Sequence, residues 1–399
     1  MRDAACSFMT GGDIAPVQSN GQGMLGELAS LFAAADFSFL NVEHPLAGKG
    51  EPVRGKKFLH RGNPDHIEGL TEAGIKAVNL ANNHILDFGD QGLLGTREQL
   101  EQRGIPCFGA GIDASAASAP VVLERNGVKL GLLGYTSTLP TGFAATASMA
   151  GVNPLRVRTA YRAPHNLEEL PGTAPVIETW PVAEDLHRMV EQVQQLRARV
   201  DAVLVYVHWG VSMIGQVHEH QRTIGHAAID AGADGVFGGH QHVVSAIEFY
   251  RGKPIVHCTG DLVFDVVEPW FDETTQRNIL FGATITRSGL KDCYVLGCTT
   301  GIGRAPTLQP PDTVTGRKIL NDLKLFSEPY GTALEAAGER ILVAPGAAAP
   351  FAPRFRAALH TMGVPASILR ESAPQIRETI RSSGEMFEET QRAQSPGGN

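Results

Sequence analysis

Six short apolar runs rich in Val, Ile, Leu and Phe each end in a polar or glycine cluster: CSFMTGGD, FSFLNVEH, IKAVNLANNH, KLGLLGYTS, AVLVYVHWG and DGVFGGHQH. Runs of this length, stopped by Gly and polar residues, predict strands buried on both faces. Amphipathic segments between them predict helices over Met24 to Ala34, Asp65 to Ala73, Gln91 to Arg103, Ala183 to Val200 and Gln221 to Ala231, with Gly104 and Gly232 as C-caps. Strand and helix alternate, which predicts an α/β layered sheet.

From Ser137 to Pro181 the pattern breaks into a proline-containing stretch with no clean period, and residues 137–181 are expected to form an insertion near the site. VSAIEFY, KPIVHCTG and RNILFGATITRSGLKDCYVLGCTT then carry turn signals between strand-like runs and predict antiparallel pairing. The organisation expected is one large domain over 1–305 and a smaller helical C-terminal extension over 306–399. That extension is expected to hold helices over Thr315 to Phe326 and Pro374 to Gln391 and a disordered QSPGGN tail.

Composition narrows the function classes. The net charge of -8 and the lack of a long basic cluster argue against a nucleic-acid surface. Five cysteines, odd in number and without CxxC spacing, suggest neither a disulfide framework nor a cysteine zinc site. The opening MRDAACSFMT lacks a basic region followed by an apolar stretch, so no membrane anchor is expected and the chain reads as cytoplasmic. Nothing in the sequence speaks to oligomeric state.

The candidate chemistry lies at strand ends. Ligands of open α/β sheets sit beyond the carboxyl ends of strands, which is where Asp13, Glu43, Asn83, His208, His240 and His242 fall. Carboxylate, amide and imidazole together make a mixed oxygen and nitrogen donor set for one or two divalent ions: Mn, Fe, Zn or Co. His84 is placed to protonate a leaving group or steady developing charge, with Asp87 orienting it. Taken singly, Asp13 also reads as a turn cap, Asn83 as a left-handed residue and Glu43 as a loop carboxylate. Their common position is what points to a metal centre.

The blocks NVEHPL, LANNHILDFGDQGLLGTREQL, VYVHWG and AIDAGADGVFGGHQHVVSAIEFYRGKPIVHCTGDLVFD resemble the CapA family of capsule poly-γ-glutamate biosynthesis proteins, over roughly residues 8 to 265. That family is similar in fold to the calcineurin-like metallophosphoesterases. The resemblance implies a two-sheet β-sandwich flanked by helices in place of a simple doubly wound sheet. It also implies that Asp13 is the first aspartate and Glu43 the bridging carboxylate. Asn83 and His84 match the asparagine and acid histidine, His208 the middle histidine, and His240 and His242 the Gly-His-x-His pair. The chain departs from the pattern in three places. Asp13 is followed by Ile14 and Ala15 where Asp-x-His is usual, Val211 and Ser212 follow HWG where an acidic residue is common, and Gly260-Asp261-Leu262 replaces Gly-Asn-Phe. The first departure removes a nitrogen ligand from one metal position.

Three functions are compatible with these residues. One is a hydrolase of a γ-glutamyl-type amide or a phosphoester, with Arg156, Arg158 and Arg162 binding an acidic or polyglutamate-like substrate. Another is a noncatalytic metal-binding component of poly-γ-glutamate synthesis or export. The third is a tailoring enzyme that forms or cleaves an amide in a small-molecule pathway.

Overall fold

The computed structural model describes residues 4–17, 21–164, 168–266 and 271–346. Two large sheets pack face to face. The larger runs, in spatial order, Thr332–Ala337, Arg340–Pro345, Gly289–Gly301, Arg277–Thr286, Ala5–Thr10, Phe37–Asn41, Ala77–Asn79 and Cys107–Phe108, with Arg304–Leu308 paired beside Gly289–Gly301. The smaller runs Ile247–Tyr250, Lys253–Val256, Gly235–Gly239, Ala202–His208, Val128–Thr136 and Val121–Arg125. Each sheet has a parallel part, Ala5–Thr10 with Phe37–Asn41 and Ala77–Asn79 in one, and Val128–Thr136 with Ala202–His208 and Gly235–Gly239 in the other. The antiparallel hairpins lie outside these centres, as the turn signals predict.

Strand periodicity explains why the sheets face each other. Along Ala202–His208 every residue is buried, but Leu204 and Tyr206 join the core between the sheets while Val203, Val205 and Val207 face the helices. Phe8 and Phe39 of the larger sheet meet Phe237 of the smaller with ring centroids 5.5 and 5.8 Å apart. The outer faces are covered in the same way. Leu28, Phe32, Leu70, Leu93 and Leu100 pack on the larger sheet, and Met189, Val193, Leu196, Ile224 and Ala228 on the smaller. Helix, sheet, sheet and helix make the two-sheet sandwich flanked by helices that the resemblance implies.

The two stretches without clear periodicity contain more strand than expected. The 137–181 insertion holds a hairpin of Val157–Arg162 with Val176–Pro181, in which Arg158 stands opposite Trp180. It rests on the helix Glu219–Ala231, where His220 Nδ1 lies 3.0 Å from Thr179 Oγ1. In the expected C-terminal extension, Val314–Ser327 is helical, close to the predicted Thr315 to Phe326. Thr332–Ala337 and Arg340–Pro345 differ from a helical extension, because they turn at Gly338 (φ 60°) and extend the larger sheet through Arg340–Pro345. The sequence TALEAA favours a helix by composition, and pairing overrides it. Pro374 to Gln391 and the tail lie outside the described residues. Among the described residues, no helix is long and apolar enough to cross a membrane.

Candidate metal centre

The parallel centres of both sheets point their carboxyl ends at one crevice. Asp13 and Glu43 follow strands of the larger sheet, while His208 ends Ala202–His208 and His240 and His242 follow Gly235–Gly239 in the smaller. The GGHQH turn is irregular, with φ of 84° at His240 and 55° at His242, so two imidazoles two residues apart face the same space with centroids 5.7 Å apart. Side chains rarely adopt this left-handed conformation, and holding two there costs about 1–3 kcal/mol each. Gly239 is required because a Cβ there would overlap the Tyr206 hydroxyl and the Asp13 carboxylate.

Two groups of donors result. Glu43, His208 and His240 bring ligand-type atoms within 4.8 Å of one another, and so do Asp13, His242 and Asp261. Glu43 stands between them, with Oε1 3.5 Å from His208 Nε2 and 3.9 Å from His242 Nε2. Asn83 Oδ1 lies 2.8 Å from His208 Nε2, which adds the amide to the first group. Asp13 is fixed by its neighbours. Asn41 Nδ2 and the Tyr206 hydroxyl donate to Oδ1 at 2.9 and 3.0 Å, and the His240 backbone N–H donates to Oδ2 at 2.9 Å.

Buried polar atoms normally have partners, and here several do not. Both oxygens of Glu43, Nδ1 of His240 and Oδ2 of Asp261 are buried and meet no hydrogen-bond partner. These donor types suit a divalent cation, and the orphaned atoms are the ones a cation would satisfy. The electrostatics of Glu43, His208 and His240 agree in direction. Burial lifts the Glu43 carboxyl to about 7 against the pull of His242. Burial lowers His208 to about 4 and His240 well below its ordinary value, so both rings are neutral and offer lone pairs. Burial also opposes charge on His242, but Asp261 and Glu43 outweigh it and raise that imidazole to about 10.

Beside this centre, His84 Nδ1 lies 2.7 Å from Asp87 Oδ2. Lys56 Nζ is 2.9 Å from the same ring nitrogen, donates to the Asn83 carbonyl oxygen at 2.6 Å and pairs with Asp87 Oδ1. The His60 backbone N–H donates to Asp87 Oδ2 at 2.8 Å. Burial, reinforced by the Lys56 charge, holds His84 well below its usual pKa. The ring is therefore neutral, with Nδ1 occupied and Nε2 the nitrogen available to a substrate.

Asp13, Glu43, Asn83, His208, His240 and His242 thus share one crevice, with His84 and Asp87 adjacent. Arg156 binds Asp185 through Nε and Nη2 at 2.6 and 2.7 Å, Arg162 binds Glu178 at 2.9 Å, and Arg158 is exposed on the hairpin. Two of the three charges are therefore held by local carboxylates. Sequence reasoning did not assign Lys56, Tyr206 or Asp261 to the site. The signal for Asp261 was present, since an acid follows Gly260 at the start of a wholly buried strand. Lys56 reaches the site from a loop far from any strand end and left no comparable mark.

A family model described as bacterial capsule synthesis protein PGA_cap matches residues 7–266. The PGA biosynthesis protein CapA of Bacillus subtilis (strain 168) is 28% identical over 59% of this chain and 55% of its own. A probable polyglutamine synthesis accessory protein of Mycobacterium tuberculosis (strain CDC 1551 / Oshkosh) is 34% identical over 58% of this chain and 56% of its own. The chain therefore spans about half the length of these curated relatives. A hypothetical protein from Thermus thermophilus aligns in structure with a TM-score of 0.41 and 15% identity, over 76% of this chain and 98% of that one.

Proposed function

The chain belongs to the bacterial capsule synthesis protein PGA_cap family, and on that premise we propose that it is a metal-dependent hydrolase acting on a γ-glutamyl-type amide of an acidic substrate. The observation that carries the metal part is Glu43, a buried carboxylate with no donor to either oxygen, set among His208, His240 and His242. Glu43, Asn83, His208 and His240 would hold one divalent cation, and Asp13 and His242 a second beside the same Glu43. Bound there, a divalent cation supplies Lewis acidity that polarises a substrate oxygen and acidifies water.

The chain's own residues do the rest. Asp87 Oδ2 lies 2.7 Å from His84 Nδ1 and, with the ring proton on that nitrogen, fixes the ring. Nε2 of the neutral His84 then accepts a proton from the attacking water and returns it to the leaving nitrogen. Lys56 holds Asp87 in place from its other oxygen. The substrate class rests on the relatives, whose names refer to PGA and polyglutamine synthesis.

The test compares the parent with a His240→Ala/His242→Ala variant, purified without chelators, by elemental analysis and by hydrolysis of γ-glutamyl amides and phosphoesters. The parent is expected to carry about one to two equivalents of Mn, Fe, Zn or Co, lost in the variant, and to release amine from the γ-glutamyl amide. A metal-replete parent inert toward the amide but active on phosphoesters would move the substrate class. Inertness toward both bonds would sink the hydrolase reading.

A further inference from the structure

Metallophosphoesterases usually follow the first aspartate with a histidine two residues on, whereas this chain has Ala15 there. Sequence alone implies that one cation position is left short of a ligand. The fold brings another residue to that place. Asp13–Ala15 and Asp261–Phe264 run parallel, and Asp261 is the register partner of Asp13. Asp261 is fully buried, and its backbone N–H donates to Asn278 Oδ1 at 2.7 Å. Its Oδ1 is held by His242 Nδ1 at 2.9 Å, while Oδ2 has no partner.

A carboxylate that served only to orient His242 would leave Oδ2 orphaned inside the protein, at the full desolvation cost of a charged group. A cation against Oδ2 removes that cost. Phe264 and His242 pack edge to face with ring centroids 4.8 Å apart, and Phe271 stacks on Phe264, so the neighbourhood is apolar on that side.

We propose that Asp261 is a direct cation ligand through Oδ2, completing a second position with Asp13 and His242 in place of the missing histidine. This rests on the metal-dependent reading above and makes the two positions different in kind. Asp13, Asp261 and His242 form an oxygen-rich set that favours Mn2+ or Mg2+. Glu43, His208 and His240 form a nitrogen-rich set that favours Zn2+ or Fe2+.

The test titrates metal-free full chain with Mn2+ and with Zn2+, by calorimetry and Mn2+ electron paramagnetic resonance, for the parent, Asp261→Asn and His240→Ala. Asp261→Asn keeps the shape and a carbonyl toward His242, and unfolding in chelator shows whether it is folded. The parent is expected to bind two Mn2+ in two affinity classes. In Asp261→Asn one class weakens by more than about a hundredfold, beyond the roughly 10–100-fold that losing a merely orienting carboxylate costs, while the other is unchanged. His240→Ala weakens the opposite class. A smaller loss in Asp261→Asn would make Asp261 an orienting residue and overturn the direct-ligand assignment. If Asp261→Asn does not fold, Asp261→Glu, which keeps the carboxylate but moves it, should weaken the same class. Two Mn2+ bound with undiminished affinity in Asp261→Asn would overturn the ligand assignment alone. A parent that binds neither Mn2+ nor Zn2+ would overturn the metal centre itself.

Discussion

Two of the buried clusters of histidine and carboxylate among the described residues look alike in composition and differ in what they lack. Around Glu248, His226 Nε2 lies 2.8 Å and Arg222 Nη2 3.1 Å from Oε1, while His257 Nε2 lies 3.3 Å from Oε2. Around Glu43 there are three histidines and no hydrogen bond to either oxygen. Burial alone would raise both carboxyls. At Glu248 the donors from His226, His257 and Arg222 outweigh it and hold the group far below the ordinary carboxylate range, whereas at Glu43 burial prevails and the group rises to about 7. Residue types therefore do not distinguish a structural cluster from a ligand-binding one. The state of hydrogen bonding does, because a satisfied buried network contributes to stability, whereas an unsatisfied one leaves buried polar atoms whose desolvation a ligand or ion would offset.

The sharpest way to break this comparison is to neutralise each carboxylate. Removing one member of a buried ion pair costs about 3–5 kcal/mol, so Glu248→Gln is expected to lose stability at the low end of that range by urea unfolding, with or without metal. Glu43→Gln is expected to cost nothing in chelator. Its effect appears on adding Mn2+, where the parent gains about 2.7 kcal/mol at a hundredfold excess over Kd. Glu248→Gln keeps that increment and Glu43→Gln loses most of it. The contrast disappears if Glu43→Gln gains as much as the parent.

A smaller effect is expected in the pH dependence of the metal-free protein, where the two carboxylates act with opposite sign. Glu248 is depressed on folding, so its contribution is fully present above the unfolded value of 4.5 and is lost as pH falls below it toward the folded value. Glu43 is raised on folding, so its penalty is absent below 4.5 and develops as pH rises toward about 7. In chelator, Glu248→Gln should flatten the acid limb of the stability curve, and Glu43→Gln should flatten the decline between about pH 5 and 7. Urea midpoints across roughly pH 3 to 8 would show it, and identical curves for the two variants would contradict the contrast.

The sequence was most informative where one physical rule acted locally. Continuous apolar runs ending in Gly and polar residues located the parallel strands, and strand ends located Asp13, Glu43, Asn83, His208, His240 and His242 because that is where an α/β sheet opens a crevice. It was least informative where long-range pairing decided the outcome. Thr332–Ala337 is alanine-rich and becomes a strand only beside Arg340–Pro345. Asp261 read as a departure from a pattern, and its meaning depends on standing in register with Asp13, more than two hundred residues earlier in the chain. The same limit applied to Arg156 and Arg162, whose charge suggested an acidic ligand while their partners Asp185 and Glu178 come from other segments.

Those arginines supply the smallest effects. Arg162 and Glu178 are both about half exposed, and such pairs contribute about 0–1 kcal/mol. Arg162→Ala should therefore shift the urea midpoint barely at all. Asp185 is buried and also meets Arg188 Nη2 at 3.0 Å, so Arg156→Ala leaves the carboxylate partly compensated and should cost about 1 kcal/mol. Neither change should alter Mn2+ affinity, since each arginine is paired with a local carboxylate and neither belongs to the two donor groups. Kinetics on a γ-glutamyl amide would separate fold from substrate contact. A KM unchanged in Arg162→Ala keeps the hairpin outside the site, whereas a KM raised more than about threefold with kcat unchanged would mean that substrate displaces Glu178 and that the insertion reads the acidic chain after all.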